Sequence, residues 1–190
     1  GNPAGQRLTA NRTIESFYKW SGGGRIPIFC DTTSCTHTLL FETGGDILTP
    51  ENREKYKQLK IMDITQWLKE VVLPRIKVIR PKNRILLHPT CSCQIMGLTP
   101  VLLDIARKCA REVILPDNWG CCGASGDRGF IFPELSDSAT RDERDEIGHE
   151  SFDGCYSLAR TCEIAMQDHI EQPYESIVYL VDETIQDQGT

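Results

Sequence analysis

Arg84-Ile85-Leu86-Leu87-His88, followed by Pro89-Thr90-Cys91, is the stretch that decides the fold. A short apolar run closed by a proline turn reads as a buried strand that delivers a cysteine at its carboxyl end. Downstream, Thr99 is suited to an N-cap, with Pro100 at the first helical position. Val101, Leu102, Ile105 and Cys109 then share one helical face, and Glu112 to Pro116 reads as the next strand. Pro133 to Ile147 reads as a charged surface helix, Glu163 to His169 as a helix opened by Cys162, and Ser176 to Leu180 as a last strand. Upstream, residues 13–20 read as a short helix with Ile14, Phe17 and Tyr18 on one face, stopping at Gly22-Gly23-Gly24. Pro27 to Cys30 reads as a buried strand, with Cys35 at the start of a helix or turn. Residues 43–53 look loop-like, Ile61 to Ile64 like a strand, and Thr65 to Val72 like a helix broken by Pro74. Strands alternating with helices predict an α/β fold of Rossmann-like design: a parallel sheet built from βα repeats, with helices on both faces.

The chain has 190 residues, enough for one domain or two small ones, and an apolar content of 39% typical of globular proteins. No apolar run approaches the roughly 20 residues that would span a bilayer, and the polar start carries no signal-peptide pattern. A net charge of −6 argues against nucleic acid as a partner. Nine cysteines fit a disulfide framework poorly, being odd in number and without an export signal. In a reducing, cytoplasmic compartment such thiols read as metal ligands or redox groups.

The most informative cluster is Gly120-Cys121-Cys122-Gly123, which leads into a glycine-rich turn, Gly123-Ala124-Ser125-Gly126-Asp127-Arg128-Gly129. Glycines let peptide N–H groups approach a bound anion closely. In an open parallel sheet the loops at the carboxyl ends of the strands converge on one edge. Cysteines distant in sequence can therefore meet there, and helix N-termini favour thiolates at that edge. The expected ligand set is Cys91, Cys121, Cys122 and Cys162, with Gly123 and Arg128 as cofactor-binding residues. Four thiolates suit a 4Fe–4S cluster or a structural zinc ion.

Cys35 is a candidate for a separate, incomplete site, and Cys93 and Cys155 are held in reserve. Cys109 and Cys30 read as core residues, since free cysteine packs as a small hydrophobe. Cys155 is placed in a turn, His88 reads as a histidine bonded to a nearby loop, and the run from Asp142 to Glu146 reads as a solvated helix face. Disulfide chemistry between Cys121 and Cys122 ranks last, because vicinal bridges are strained.

Thr33-Ser34-Cys35-Thr36 and Arg160-Thr161-Cys162-Glu163 form a faint repeat, each placing a cysteine after a hydroxyl residue and ahead of a helix. Each precedes an apolar segment that runs into an acidic residue, Ile61-Met62-Asp63 and Tyr179-Leu180-Val181-Asp182. The division that follows is 1–80 for the second half of a first repeat, with its N-terminal helix, and 81–190 for a complete second repeat. A preceding N-terminal portion is then expected, in keeping with the missing initiator Met.

These motifs resemble the Cys-rich CCG domain of iron–sulfur oxidoreductases such as the heterodisulfide reductases and the iron–sulfur component of glycolate oxidase. The pattern there is a lone cysteine, then Cys-Cys-Gly, then Cys-x-x-Cys. Cys91 stands for the first, Cys121-Cys122-Gly123 for the second and Cys162 for the last. The C-terminal region of FAD-linked D-lactate dehydrogenases, in the D-2-hydroxyacid dehydrogenase group, is more similar still. The resemblance rests on Cys121 through Phe130, Pro133-Glu134-Leu135, Tyr156-Ser157, Arg160 through Glu163 and Asp31 through Thr36. It implies an oxidoreductase in which FAD, in the N-terminal part of the same polypeptide, takes electrons from a D-2-hydroxyacid. The cluster region would pass them to a quinone or an acceptor protein. Such a protein would be cytoplasmic, with peripheral attachment at the inner face of the cell membrane compatible with a quinone acceptor. One departure is Ala159, where the generic pattern has cysteine. This speaks against a five-cysteine noncubane cluster and leaves four thiolates.

Overall fold

The computed structural model describes residues 2–185. The chain divides into two compact units between Ile64 and Thr65, upstream of the 80/81 boundary drawn on the sequence repeat.

In the first unit, helix α1 (Pro3–Trp20) starts well before the expected 13–20 segment. Asn2 caps it, its Oδ1 accepting the Gly5 N–H at 3.0 Å, and Pro3 occupies the first turn. Those start signals lie in a polar segment without an apolar stripe, so periodicity alone did not reveal them. The helix ends at Ser21, and Gly24 follows at φ +83° with the Gln58 carbonyl so close that a Cβ would sit 2.1 Å from its oxygen. Strand β1 (Ile28–Cys30) is followed by α2 (Thr33–His37), which carries Cys35. Helix α3 (Pro50–Gln58) replaces part of the loop expected over 43–53; Thr49 caps it and Pro50 begins it. Its sequence is almost wholly polar, which hides it from a hydrophobic pattern. Strand β2 (Ile61–Asp63) pairs with β1 in parallel, Ile28 opposite Ile61 and Cys30 opposite Asp63. Strand β1 is only partly buried, with Phe29 exposed.

Helix α4 (Ile64–Trp67) begins at the boundary and continues as a π turn, Leu68–Val72, and a 3-10 turn, Leu73–Arg75, that houses Pro74. The second unit then builds a four-stranded, all-parallel sheet from β3 (Lys82–Leu87), β4 (Ala110–Ile114), β5 (Gly154–Ser157) and β6 (Tyr174–Ser176), in the order β4-β3-β5-β6. Between β3 and β4 run α5 (Cys91–Ile95) and α6 (Thr99–Cys109), the latter capped by Leu98 with Thr99 already inside it. After β4 come α7 (Arg128–Ile131) and α8 (Pro133–Ile147), and between β5 and β6 lies α9 (Arg160–Ile170).

Two expectations fail here. Cys155 lies in strand β5 and not in a turn. The expected last strand, 176–180, is the start of helix α10 (Ile177–Thr184), and the strand is the shorter β6 before it. The Ser176 hydroxyl accepts the Val178 N–H, and Ile177, Leu180, Val181 and Thr184 are buried at helical spacing. A β-branched, aromatic run suggested a strand, but tertiary packing on a helical stripe won. The repeat therefore aligns differently: β1-α2-β2 and β5-α9-β6 are each a parallel βαβ step with a cysteine in the first turns of the helix.

Leu86, Cys155 and Tyr174 stand side by side on β3, β5 and β6 and pack against Ile147 of α8 and Ala165 and Met166 of α9. Tyr156, one residue on, faces the other side and donates to Glu183 of α10 at 3.0 Å. Helices thus cover both faces of the sheet, which explains the continuous burial of Ile85, Leu86 and Leu87.

The start of β3 is held by Asp153, whose carboxylate accepts the Asn83 N–H at 2.6 Å and lies below the usual carboxylate range because of that bond. A depressed folded-state pKa stabilises above the unfolded value, about 3.9 for aspartate, and loses the contribution as pH falls through the folded value. The melting-temperature gap between wild type and Asp153→Ala is therefore expected to be open at pH 6 and to close as pH drops toward and below 3. A gap constant over that range in thermal melts would contradict this.

Candidate metal centre

The sheet order makes the chain step one way from β3 to β4 and the other way from β3 to β5 and β6. The crevice beyond the carboxyl ends of β3 and β5 is where such folds bind ligands. Three loops deliver cysteines to this edge. Cys91 opens α5, directly after the turn that ends β3, with Thr90 Oγ1 accepting the Cys93 N–H at 3.2 Å. Cys121 and Cys122 lie in the loop after β4, and Cys162 in the first turn of α9.

The four thiols form a contiguous chain. Cys91 contacts Cys121, Cys121 contacts Cys122, and the Cys122 and Cys162 sulfurs are 2.7 Å apart. Cys91 and Cys121 face solvent, whereas Cys122 and Cys162 are buried. The Gly123 N–H donates to the Cys121 sulfur at 3.4 Å, and the backbone amides of Ser92 and Ala124 favour the anionic form of Cys91 and Cys122. Such N–H···S bonds stabilise anionic sulfur and tune the potential of a cluster.

As free thiols Cys91, Cys121 and Cys122 hold their protons. Burial, then the neighbouring Cys121, raises the pKa of Cys91; the Cys122 contact, then burial, raises that of Cys121. For Cys122 the Cys121 contact favours the thiolate, but Cys162 and burial outweigh it and push the group up to about 12. Thiols crowded so that charge on one disfavours charge on the next are a donor set that a cation would relieve.

Among the described residues, no three His, Cys, Asp or Glu side chains are spaced as a ready-made cage. Two thiolates on one tetrahedral ion, with bonds of about 2.3 Å, stand roughly 3.8 Å apart, so the 2.7 Å pair must part by about 1 Å to share an ion. The donor chemistry fits a four-thiolate group, and the loops would have to open slightly to accept it.

Gly123 adopts φ +73°, and a Cβ there would lie 2.6 Å from the Leu135 carbonyl oxygen and 2.7 Å from the Ser136 Cα. Its bareness serves packing against α8 as well as presentation of its N–H to Cys121. Arg128, at the start of α7, is exposed. Arg160 is also exposed and holds the buried Glu163 at 3.2 Å. Cys155 and Cys93 are buried, Cys155 near Gln172 and in the same core cluster as Cys122 and Cys162, Cys93 near Thr99. Cys109 is fully buried in α6. In the first unit, Cys35 is exposed and its thiol neighbour is the half-buried Cys30, whose pKa is raised by burial first. Thr36 there donates to the buried Asp63 at 2.9 Å.

Two residues beside the site depart from the sequence reading. His88 bonds not to a loop but to Glu143 on α8, its Nδ1 lying 2.9 and 3.1 Å from the two carboxylate oxygens. Glu143 is 2% exposed, so the 142–146 run is not simply a solvated face. Its position at helical spacing from Ser136, Thr140 and Ile147, all buried, was the available signal. The neighbouring Glu146 accepts the backbone N–H groups of Asp117 (2.7 Å) and Asn118 (2.8 Å), in the loop before Cys121.

Comparison with protein-family models and with curated proteins finds no match to this chain.

Proposed function

We propose that the second unit binds a 4Fe–4S cluster through Cys91, Cys121, Cys122 and Cys162. In this reading the chain is the electron-transfer C-terminal portion of an FAD-dependent D-lactate or D-2-hydroxyacid dehydrogenase. The observation that carries the metal reading is the contiguous line of four thiols at the switch point of the sheet, with backbone amides favouring the anionic form of three of them. The dehydrogenase reading adds the likeness of residues 121–130 and 160–163 to that family. When bound, such a cluster accepts and releases one electron at a time.

The protein's own part is to hold and shield. Cys122 and Cys162 grip from the buried side, and Cys91 and Cys121 close the solvent side. The amides of Ser92, Gly123 and Ala124 offset the negative charge gathered on the sulfurs. Electrons would arrive from the flavin domain of the same polypeptide and leave for a quinone or an acceptor protein. Among the described residues no helix is long and apolar enough to cross a membrane.

A structural zinc module is the second reading. It is favoured by the presence of four thiols with Ala159 where a fifth would stand, since structural zinc takes four ligands. Metal analysis of protein prepared without oxygen, with visible absorption and EPR, separates the two. A brown, reducible centre supports the cluster, and a colourless, EPR-silent protein with one zinc supports the module. Neither metal bound would overturn both. With D-lactate alone, this chain is expected to reduce no dye.

A further inference from the structure

Helix α8 is attached at three points to the two chain segments that carry Cys91 and the Cys121–Cys122 pair. In its C-terminal half, Glu143 meets His88, the residue directly after β3 and just before the turn to Cys91. His88 is fixed to β5 by its backbone: its N–H donates to Tyr156 O at 2.9 Å and its carbonyl accepts the Ser157 hydroxyl at 2.9 Å. The ring is fully buried, and its Nε2 has no hydrogen-bond partner among the described residues. Glu143 is thus the polar tether that sets the ring's orientation. Less than a turn further along, Glu146 clamps the Asp117 and Asn118 amides, with Asn118 Nδ2 as a third donor at 3.0 Å. This is the loop that runs into Cys121. At its N-terminal end the same helix presents the Leu135 carbonyl and Ser136 Cα as the surface on which Gly123 rests.

On the reading that the four thiols hold a metal group, we propose that Glu143 and Glu146 are positioning residues for that centre. Glu143 acts through His88 on the segment bearing Cys91, and Glu146 acts through the 117–118 amides on the segment bearing Cys121 and Cys122. The sulfurs come from separate loops, and loops alone do not hold donors to the tolerance a metal requires. A single helix spanning all three attachment points supplies a common rigid reference. Stability alone gives little reason for the buried pair, because apolar residues of similar volume would serve as well or better. A carboxylate that orients a group next to a ligand is a familiar outer-shell device, and its loss typically costs about 10–100-fold in metal affinity.

The test uses the 190-residue chain, with Zn²⁺ as probe in competition with a chromophoric chelator and Co²⁺ as spectroscopic reporter. Glu146 is exposed, so Glu146→Ala is expected to keep the wild-type circular dichroism. It should bind zinc about tenfold or more weakly and show a weaker, broadened thiolate-to-cobalt charge-transfer band. Glu143→Ala should lose at least as much, and Glu143→Gln, which keeps an oxygen for the His88 Nδ1–H, should recover most of it. A purely structural role would lower the melting temperature without changing the cobalt band. Wild-type affinity and band shape in Glu146→Ala and Glu143→Gln alike would overturn the proposal whether or not Glu143→Ala folds, provided that wild type binds. Failure of wild type itself to bind zinc or cobalt would remove the metal reading and this inference with it.

Discussion

Replacing Cys162 with serine is expected to lower metal affinity by about two to three orders of magnitude and to leave the fold in place. Its sulfur is 2.7 Å from that of Cys122, and both are buried, so the two form the inner pair of the line. Structural zinc on four ligands is worth about 10–16 kcal/mol, so one thiolate carries roughly a quarter, about 2–4 kcal/mol, or about 10²–10³-fold. Serine is nearly isosteric, but its hydroxyl does not ionise in this range and is a poor ligand for a soft site. Two controls sharpen the result. Cys155→Ala removes a thiol from the same core cluster, and Cys109→Ala removes one from α6; neither thiol joins the line. Both variants are expected to retain the wild-type metal content after anaerobic reconstitution. If Cys162→Ser holds metal as well as these controls do, the four-thiol site is wrong.

Much of this edge was legible before any coordinates. Ile85-Leu86-Leu87 is apolar on both faces, as a central parallel strand must be. Pro133 to Ile147 is helical over the expected span, because Pro133 at its start and Gly148 just past its end mark its limits. The convergence of Cys91, Cys121, Cys122 and Cys162 followed from one topological rule about the carboxyl edge of a parallel sheet. What was not legible has physical causes. Strand β5 is only Gly154 to Ser157, too short for an alternation to show, and it begins with a residue depleted in strands. Helix α10 is rich in Ile, Val and Tyr, so local preference and burial pattern disagreed and the pattern prevailed. The His88–Glu143 pair joins residues far apart in the chain. Nothing local distinguishes Glu143 from Asp142 or Glu146 except its phase on the helix, and that phase has meaning only once the buried face is known.

That same helix makes the glycine of the Cys-Cys-Gly turn the most sensitive backbone position near the thiols, and Gly123→Ala is expected to be severe. Two independent penalties apply. At φ +73° an alanine sits in a left-handed conformation, which costs non-glycine residues about 1–3 kcal/mol. Its Cβ would also meet the Leu135 carbonyl oxygen at 2.6 Å and the Ser136 Cα at 2.7 Å, both backbone atoms of α8. A backbone neighbour inside a helix cannot swing aside as a flexible side chain can. Relief therefore comes from lifting the turn off α8, at an overpacking cost of about 1–3 kcal/mol. The lift carries Cys121 and Cys122 with it and withdraws the Gly123 N–H from the Cys121 sulfur. A combined loss of about 2–6 kcal/mol against a typical total stability of about 5–15 kcal/mol should appear as a large drop in the denaturant midpoint, with metal binding impaired even in the folded fraction. The neighbouring Gly126→Ala separates the two causes. Gly126 also has positive φ, +77°, yet a Cβ there meets nothing within 4 Å, so that variant should show only the smaller conformational cost and keep its metal. Equal effects from the two substitutions in parallel denaturation and zinc-competition measurements would mean that contact with α8 does not govern the turn.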